Sequence, residues 1–124
     1  MTPALGFGDA VPFLLVGFGG VLGALSRHLL GERIDTRTAD TLAVNLVGSF
    51  LLGALLSAPI DGSLVLVFGT GFCGAFTTFS TFAFETVRLA ETGAPRRAVG
   101  NAVVNLVGAV AAVLVGAALV GALA

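Results

Sequence analysis

Lysine, tryptophan and tyrosine are absent from this chain of 124 residues, and cysteine and histidine occur once each. A single cysteine excludes an internal disulfide framework, and one cysteine with one histidine leaves too few ligands for a structural zinc site. Charge is scarce as well: six arginines and seven acidic residues amount to 10% of the chain, against ~25% in ordinary soluble domains. A chain this short has much surface for its volume and cannot cover it with so few charged side chains. A water-soluble enzyme domain, a nucleic-acid binder and a disordered tail are thereby excluded. The first ten residues hold no arginine and carry Asp9, so no cleavable signal peptide is expected. There is no phosphate-binding glycine loop and no nucleophile paired with a base, so catalysis is not expected either.

What the chain has instead is 56% hydrophobic residues and 18 glycines, with a mean hydropathy of +1.05. That composition is expected of a small integral membrane protein. The charges punctuate it, and the stretches between them can be measured against a bilayer core that needs about 20 apolar residues per helix. Four spans result, at about 11–30 (counting in Arg27 and His28), 41–58, 62–84 and 98–124. Pro12 stands near the start of the first, where a missing N–H costs little. Pro59, Asp61 and Gly62 mark a tight turn between spans two and three, and polar stretches 31–40 and 88–97 make the other connections. The expected architecture is all-α, with four transmembrane helices in a single domain, 1–124.

All six arginines fall on one side. Arg33 and Arg37 lie in the first loop, Arg96 and Arg97 in the third, and Arg27 and Arg88 at helix ends feeding those loops. The positive-inside rule therefore predicts that loops one and three are cytoplasmic and both termini outside. Glycines recur at Gly17, Gly20 and Gly23 in span one, at Gly48 and Gly53 in span two, and at Gly108, Gly116 and Gly121 in span four. Such small residues let helices approach closely in lipid, and they point to tight packing and oligomerisation. The segment VNLVG occurs at 44–48 and again at 104–108, placing Asn45 and Asn105 at similar depth on parallel helices. Each amide either bonds across helices or donates into an aqueous or ion-filled cavity.

Span three concentrates the polar residues, in GTGFCGAFTTFSTFAFE (69–85). Gly69, Gly71 and Gly74 followed by Thr77, Thr78, Ser80 and Thr81 weaken the helix near residue 73, the midpoint of 62–84. A break there frees backbone carbonyls, which lipid tolerates only where they coordinate something or line a cavity. Being hard oxygen ligands, they would suit Na⁺. The other reading is a kinked but continuous helix whose hydroxyls bond back to i−4 carbonyls. Past the break, Thr77, Thr81, Glu85 and Thr78 span 100° of a helical wheel, with Phe82 at 140° and Phe79 at 200°. These rings either face lipid and core or turn their positive edges to an anion.

Four motifs now resemble one family, the CrcB or Fluc fluoride channels. They are GxxGAxxR (Gly20, Gly23, Ala24, Arg27), TLxxNxxG (Thr41, Leu42, Asn45, Gly48), GFCGxxTTFSTF (Gly71 to Phe82) and NxxxN (Asn101, Asn105). The resemblance covers all four spans. It implies an antiparallel, dual-topology type of dimer with two fluoride pores built from both subunits. Phe79 and Phe82 would form an aromatic box, Asn45 would donate to the ion, and Asn105, Ser80, Thr81 and Glu85 would join a polar track. Arg27 would draw fluoride into a vestibule, its other reading being a snorkelling topology anchor. Carbonyls of Gly74 and Thr77 from both subunits would hold a structural Na⁺ at the dimer centre. Span four departs from the pattern at Ala109, where a serine commonly follows the glycine.

Cys73 reads as a packing residue and His28 as an interfacial one. Two other classes compete with a passive fluoride channel at the cell membrane. A proton-coupled four-helix exporter would need a carboxylate deep in an early span, but spans one, two and four contain no acid. A purely structural assembly subunit would leave the Thr/Ser/Phe run without a purpose. The partner is either a second copy or, as a 6-to-0 arginine bias favours, an oppositely oriented paralogue completing a heterodimer.

Overall fold

The computed structural model describes residue 4 and residues 6–123; residue 124, the predicted end of the fourth span, lies outside them. Helix α1 covers Phe7–Gly31 and α2 covers Arg37–Ser57. The third span is assembled from α3 (Gly62–Leu64), a wider-wound π-helical segment (Val65–Cys73), α4 (Gly74–Phe76) and α5 (Phe79–Glu91), and α6 follows at Pro95–Leu123. Among the described residues there is no strand. Four helices of 25, 21, 30 and 29 residues are long and apolar enough to cross a membrane, the third running over Gly62–Glu91. The shortest still reaches ~30 Å at 1.5 Å per residue. The protein is a multi-pass, all-helical membrane protein.

The helices run into the charged flanks. Because α1 extends back to Phe7, Pro12 lies inside the helix and not at its first turn. Asp61 caps α3, its carboxylate accepting from the Leu64 N–H at 3.0 Å. The turn after α5 closes on Gly93 at φ 85°, a left-handed conformation that favours glycine. Gly93 N–H donates to Ala90 O and Ala94 N–H to Leu89 O, the paired bonds that satisfy a helix C-terminus. Pro95 then opens α6 in the first turn, where its missing N–H is not needed.

Glycine decides which helices touch. A Cβ on Gly71 would stand 2.6 Å from the Val16 carbonyl oxygen, and one on Gly19 or Gly23 would collide with the backbone of Val67 or Phe72. In the same way Gly53 abuts the Val113 carbonyl and Gly116 the Phe50 carbonyl. So α1 lies backbone to backbone against the third span, and α2 against α6, each pair running in the same direction. The expected spacing of three in span one needs correcting. Gly17 meets nothing within 4 Å and Gly20 barely reaches the π segment, while the buried pair is Gly19 and Gly23. At 3.6 residues per turn, positions i and i+4 share a face over one turn, as in the GxxxG contact.

The third span is broken, but not at Gly74. That residue is helical at φ −61° and ψ −37°, whereas Thr77 (ψ 163°) and Thr78 (ψ 122°) are extended. Because the span reaches Glu91, its halfway point moves from residue 73 to the Phe76–Thr77 peptide. Each threonine has a local reason for its place. The Thr77 N–H and hydroxyl both close on Cys73 O, at 3.0 and 2.8 Å, ending the first half. Thr78 caps the second half, its hydroxyl oxygen accepting from the Thr81 N–H at 3.2 Å.

Candidate functional site

The extended residue Thr78 is held from outside by one side chain. Asn45 accepts from the Thr78 N–H through Oδ1 (2.8 Å) and donates from Nδ2 to the Thr78 carbonyl (3.1 Å). The same Nδ2 donates to Asn105 Oδ1 at 3.2 Å, so the amides sixty residues apart meet at one depth on parallel helices. Both N–H bonds of Asn45 are therefore engaged within the chain. Asn105, 5% exposed, donates in turn to the Asn101 carbonyl (2.9 Å) and Oδ1 (3.2 Å).

Beside the break lies a cavity of about 560 Å³ walled by α2, the third span and α6. Its polar lining comes from Asn45, Ser49, Thr70, Thr77, Thr78 and Asn105, and its aromatic lining from Phe79 and Phe82. The two rings stand 5.8 Å apart, tilted by 57°. Phe79 is 78% exposed, so in this subunit its ring has little packing role. Gly74 and Ala109 also line the cavity, and Gly48 leaves room for the Thr77 side chain against α2. Ser49 and Thr70 were not singled out from sequence. A signal existed for each: Ser49 is one turn from Asn45, and Thr70 lies two turns before Thr77.

The remaining predicted residues spread around this centre. Thr81 receives a hydrogen bond from the Thr78 hydroxyl (3.0 Å), and Ser80, exposed, lies 3.4 Å from it. Glu85 does not line the cavity. It is 4% exposed between α5 and α2, where Oε1 accepts from the fully buried Thr41 hydroxyl at 3.0 Å. Its Oε2 is buried without a hydrogen-bond partner among the described residues. The single strip read from the wheel is thus divided, since Thr77 precedes α5 and Thr81 turns to the break while Glu85 turns to α2. Arg27 is half-buried and donates to the Phe76 carbonyl at 3.5 Å, placing a cation on the last carbonyl before the break. It also borders a second cleft of about 360 Å³ with His28, Glu32 and Asp40. His28 pairs with Glu32 at 3.2 Å on the surface, a contact of little energy. Cys73 is buried beside the break.

Extended backbone in mid-span against a cavity lined by hydroxyls, amides and aromatic rings is the construction of a membrane transport protein. The description "CrcB-like protein, Camphor Resistance (CrcB)" matches residues 14–117, and the chain belongs to that family. It is 49% identical over 110 residues to "Fluoride-specific ion channel FluC 2" of Natronomonas pharaonis, covering 89% of this chain and 95% of that one. Identity to "Fluoride-specific ion channel FluC 1" of Nocardia farcinica is 45% over 116 residues, covering 90% and 82%. The "Fluoride-specific ion channel FluC" of Methanocaldococcus jannaschii is 47% identical over 102 residues, covering 77% and 82%.

Proposed function

We propose that this chain is a subunit of a fluoride-specific channel that lets the anion leave the cell passively and so lowers its cytoplasmic concentration. The observation that carries this reading is the cavity at the Thr77–Thr78 break. There Phe79 and Phe82 stand beside threonine hydroxyls in a chain closely similar to relatives bearing that name. Ring edges are positive, so a partly dehydrated anion finds favourable contacts there without a fixed counter-charge, while the Thr77 and Thr78 hydroxyls donate to Cys73 O and Thr81 Oγ1 and hold the break open. The N-terminus of α5 opens at the same place with the positive end of its dipole. Arg27, at the arginine-rich end, raises the local anion concentration. Nothing in this route calls for catalysis or a nucleotide.

The cavity is completed by a second subunit. Phe79 projects from the surface of this one, and Phe13, Phe18, Leu106 and Leu114 are also largely exposed. An antiparallel partner would bring a second set of the same groups. The residues at the break fit a structural Na⁺ at such an interface. Thr78 N–H is taken by Asn45 and Thr81 N–H by the Thr78 hydroxyl, so the carbonyls of Gly74 and Thr77 have no donor from the next helical turn. Hard, neutral oxygens of this kind suit a hard monovalent ion, whose charge would neutralise the carbonyl dipoles at the subunit contact. In the membrane we place loops one and three in the cytoplasm and both termini outside.

Proteoliposomes holding the protein co-purified with an oppositely oriented partner subunit, loaded with fluoride or with chloride, test the function. Rapid fluoride efflux without ATP and retained chloride are expected. Chloride efflux at a similar rate, or an ATP requirement, sinks the reading.

A further inference from the structure

One series of hydrogen bonds touches the cavity, leaves it and returns. Thr78 N–H donates to Asn45 Oδ1 (2.8 Å), Asn45 Nδ2 to Asn105 Oδ1 (3.2 Å) and Asn105 Nδ2 to Asn101 Oδ1 (3.2 Å). Asn101 Nδ2 then donates to Thr86 Oγ1 (3.0 Å), and the Thr86 hydroxyl donates to the Phe82 carbonyl (2.8 Å). The series starts at the cap of α5, crosses α2 and α6, and ends one turn into α5 again. Every donor points the same way along it.

That direction has consequences. The two ends of a carboxamide are alike in shape, so partners alone decide which faces where. Asn105 Oδ1 and the Thr78 carbonyl can only accept, and with the Thr78 N–H they turn the nitrogen of Asn45 toward α6 and its oxygen toward that N–H. Asn101 orients Asn105 in the same way, through its carbonyl (2.9 Å) and its Oδ1 (3.2 Å), and Thr86 orients Asn101. Bonds aligned head to tail also polarise one another, so the last members strengthen the first. The far end is anchored on the carbonyl of Phe82, and the near end on the residue preceding Phe79. The closed circuit therefore spans the turn that carries both rings.

We propose that Asn101 and Thr86, neither of which lines the cavity, are positioning residues for the anion path. Through Asn105 they fix the amide orientation of Asn45, and through the Phe82 carbonyl they set the turn bearing Phe79 and Phe82. This rests on the fluoride reading above and names residues that tune it from outside the cavity.

Single-channel recording of fluoride current in planar bilayers separates positioning from scaffolding. Thr86→Val keeps the side-chain shape and removes both of its hydrogen bonds. Its unit current is expected to fall by roughly 3- to 15-fold, the factor corresponding to one interhelical hydrogen bond in lipid. Thr86→Ser should restore the wild-type current. Asn101→Ala should lower it similarly, and the double variant no further than either single one, because all three interrupt one series. A scaffolding role would reduce the number of open channels and the oligomer yield but leave each channel's current at the wild-type value, and that outcome overturns the proposal. Should Thr86→Val fail to yield protein, Asn101→Ala carries the same measurement. Absence of fluoride current in the wild type, both alone and co-expressed with a paralogue of reversed arginine bias, would instead overturn the functional reading, and this proposal with it.

Discussion

Phe79 and Phe82 share one face of the cavity, yet the fold treats them differently: Phe79 is almost bare, while Phe82 is half-buried against its neighbours. Removing an exposed ring costs a subunit little, within about 0.5 kcal/mol for a surface site. Phe79→Ala should therefore unfold at nearly the wild-type temperature while fluoride flux falls about tenfold, equivalent to losing ~1.4 kcal/mol of favourable contact with the ion. Phe82→Ala should lose both flux and some stability. Flux assays and thermal melts in detergent on the same preparations check this, and normal flux in both variants would make the rings packing residues. Asn45 shows how far single residues were legible. Its depth match with Asn105 followed from the repeated pentapeptide, and the 3.2 Å bond between them bears that out. Its grip on both polar groups of Thr78 did not follow, because those groups become available only once the backbone is extended. Glu85, read as the carboxylate ending the hydroxyl strip of α5, sits on that helix but turns to the buried Thr41 hydroxyl on α2.

At the scale of elements, the break in the third span comes from two adjacent threonines with different tasks. The sequence argument summed the helix penalties of the glycines and of the threonines after them and so centred the break near residue 73, the midpoint of 62–84. Glycine here serves close packing: Gly71 lets α1 approach, and Gly74 stays helical. A propensity scale cannot tell a glycine that weakens a helix from one that lets another helix in, since the difference lies in the neighbour. Thr78→Ala removes the cap of α5 and should lower stability by about 1 kcal/mol, with Thr78→Ser close to wild type. The backbone grip of Asn45 on residue 78 survives both changes, so detergent melts read the cap alone. The α2–α6 contact makes a second prediction. Gly53→Ala drives a methyl into the Val113 carbonyl, whereas at Gly100 nothing lies within 4 Å of the added atom. The first should destabilise by about 1–3 kcal/mol, and the second should be neutral or stabilise by up to ~1 kcal/mol. Equal melting shifts would mean that α2 and α6 are not in backbone contact.

On the scale of the whole molecule, the arginines and the open cavity make demands that pull in different directions. Arg27 to Arg37 lie from the end of α1 to the start of α2, and Arg88 to Arg97 from the end of α5 to the start of α6, so one end of the bundle carries all six. That bias strongly favours a single insertion, with those loops in the cytoplasm. An antiparallel homodimer requires the same chain to insert both ways in comparable amounts. A partner of opposite bias would reconcile the two. On the α6 side the cavity is lined by Leu106, Ala109 and a single polar group, the Asn105 amide, so this subunit contributes little polarity there. The expected state is a heterodimer in which this chain supplies one copy each of Asn45, Phe79 and Phe82, and an oppositely oriented paralogue supplies the rest. Fusing a reporter active only in the cytoplasm, and separately one active only outside, to the C-terminus reads the insertion directly. An almost exclusively outside signal is expected, together with weak fluoride flux from the chain purified alone and strong flux when it is co-expressed with a paralogue of reversed arginine bias. Comparable signals from both reporters, or full flux from the chain by itself, would establish the homodimer. The six arginines would then set no orientation, and the Asn105 amide would be polarity enough on the α6 side of the cavity.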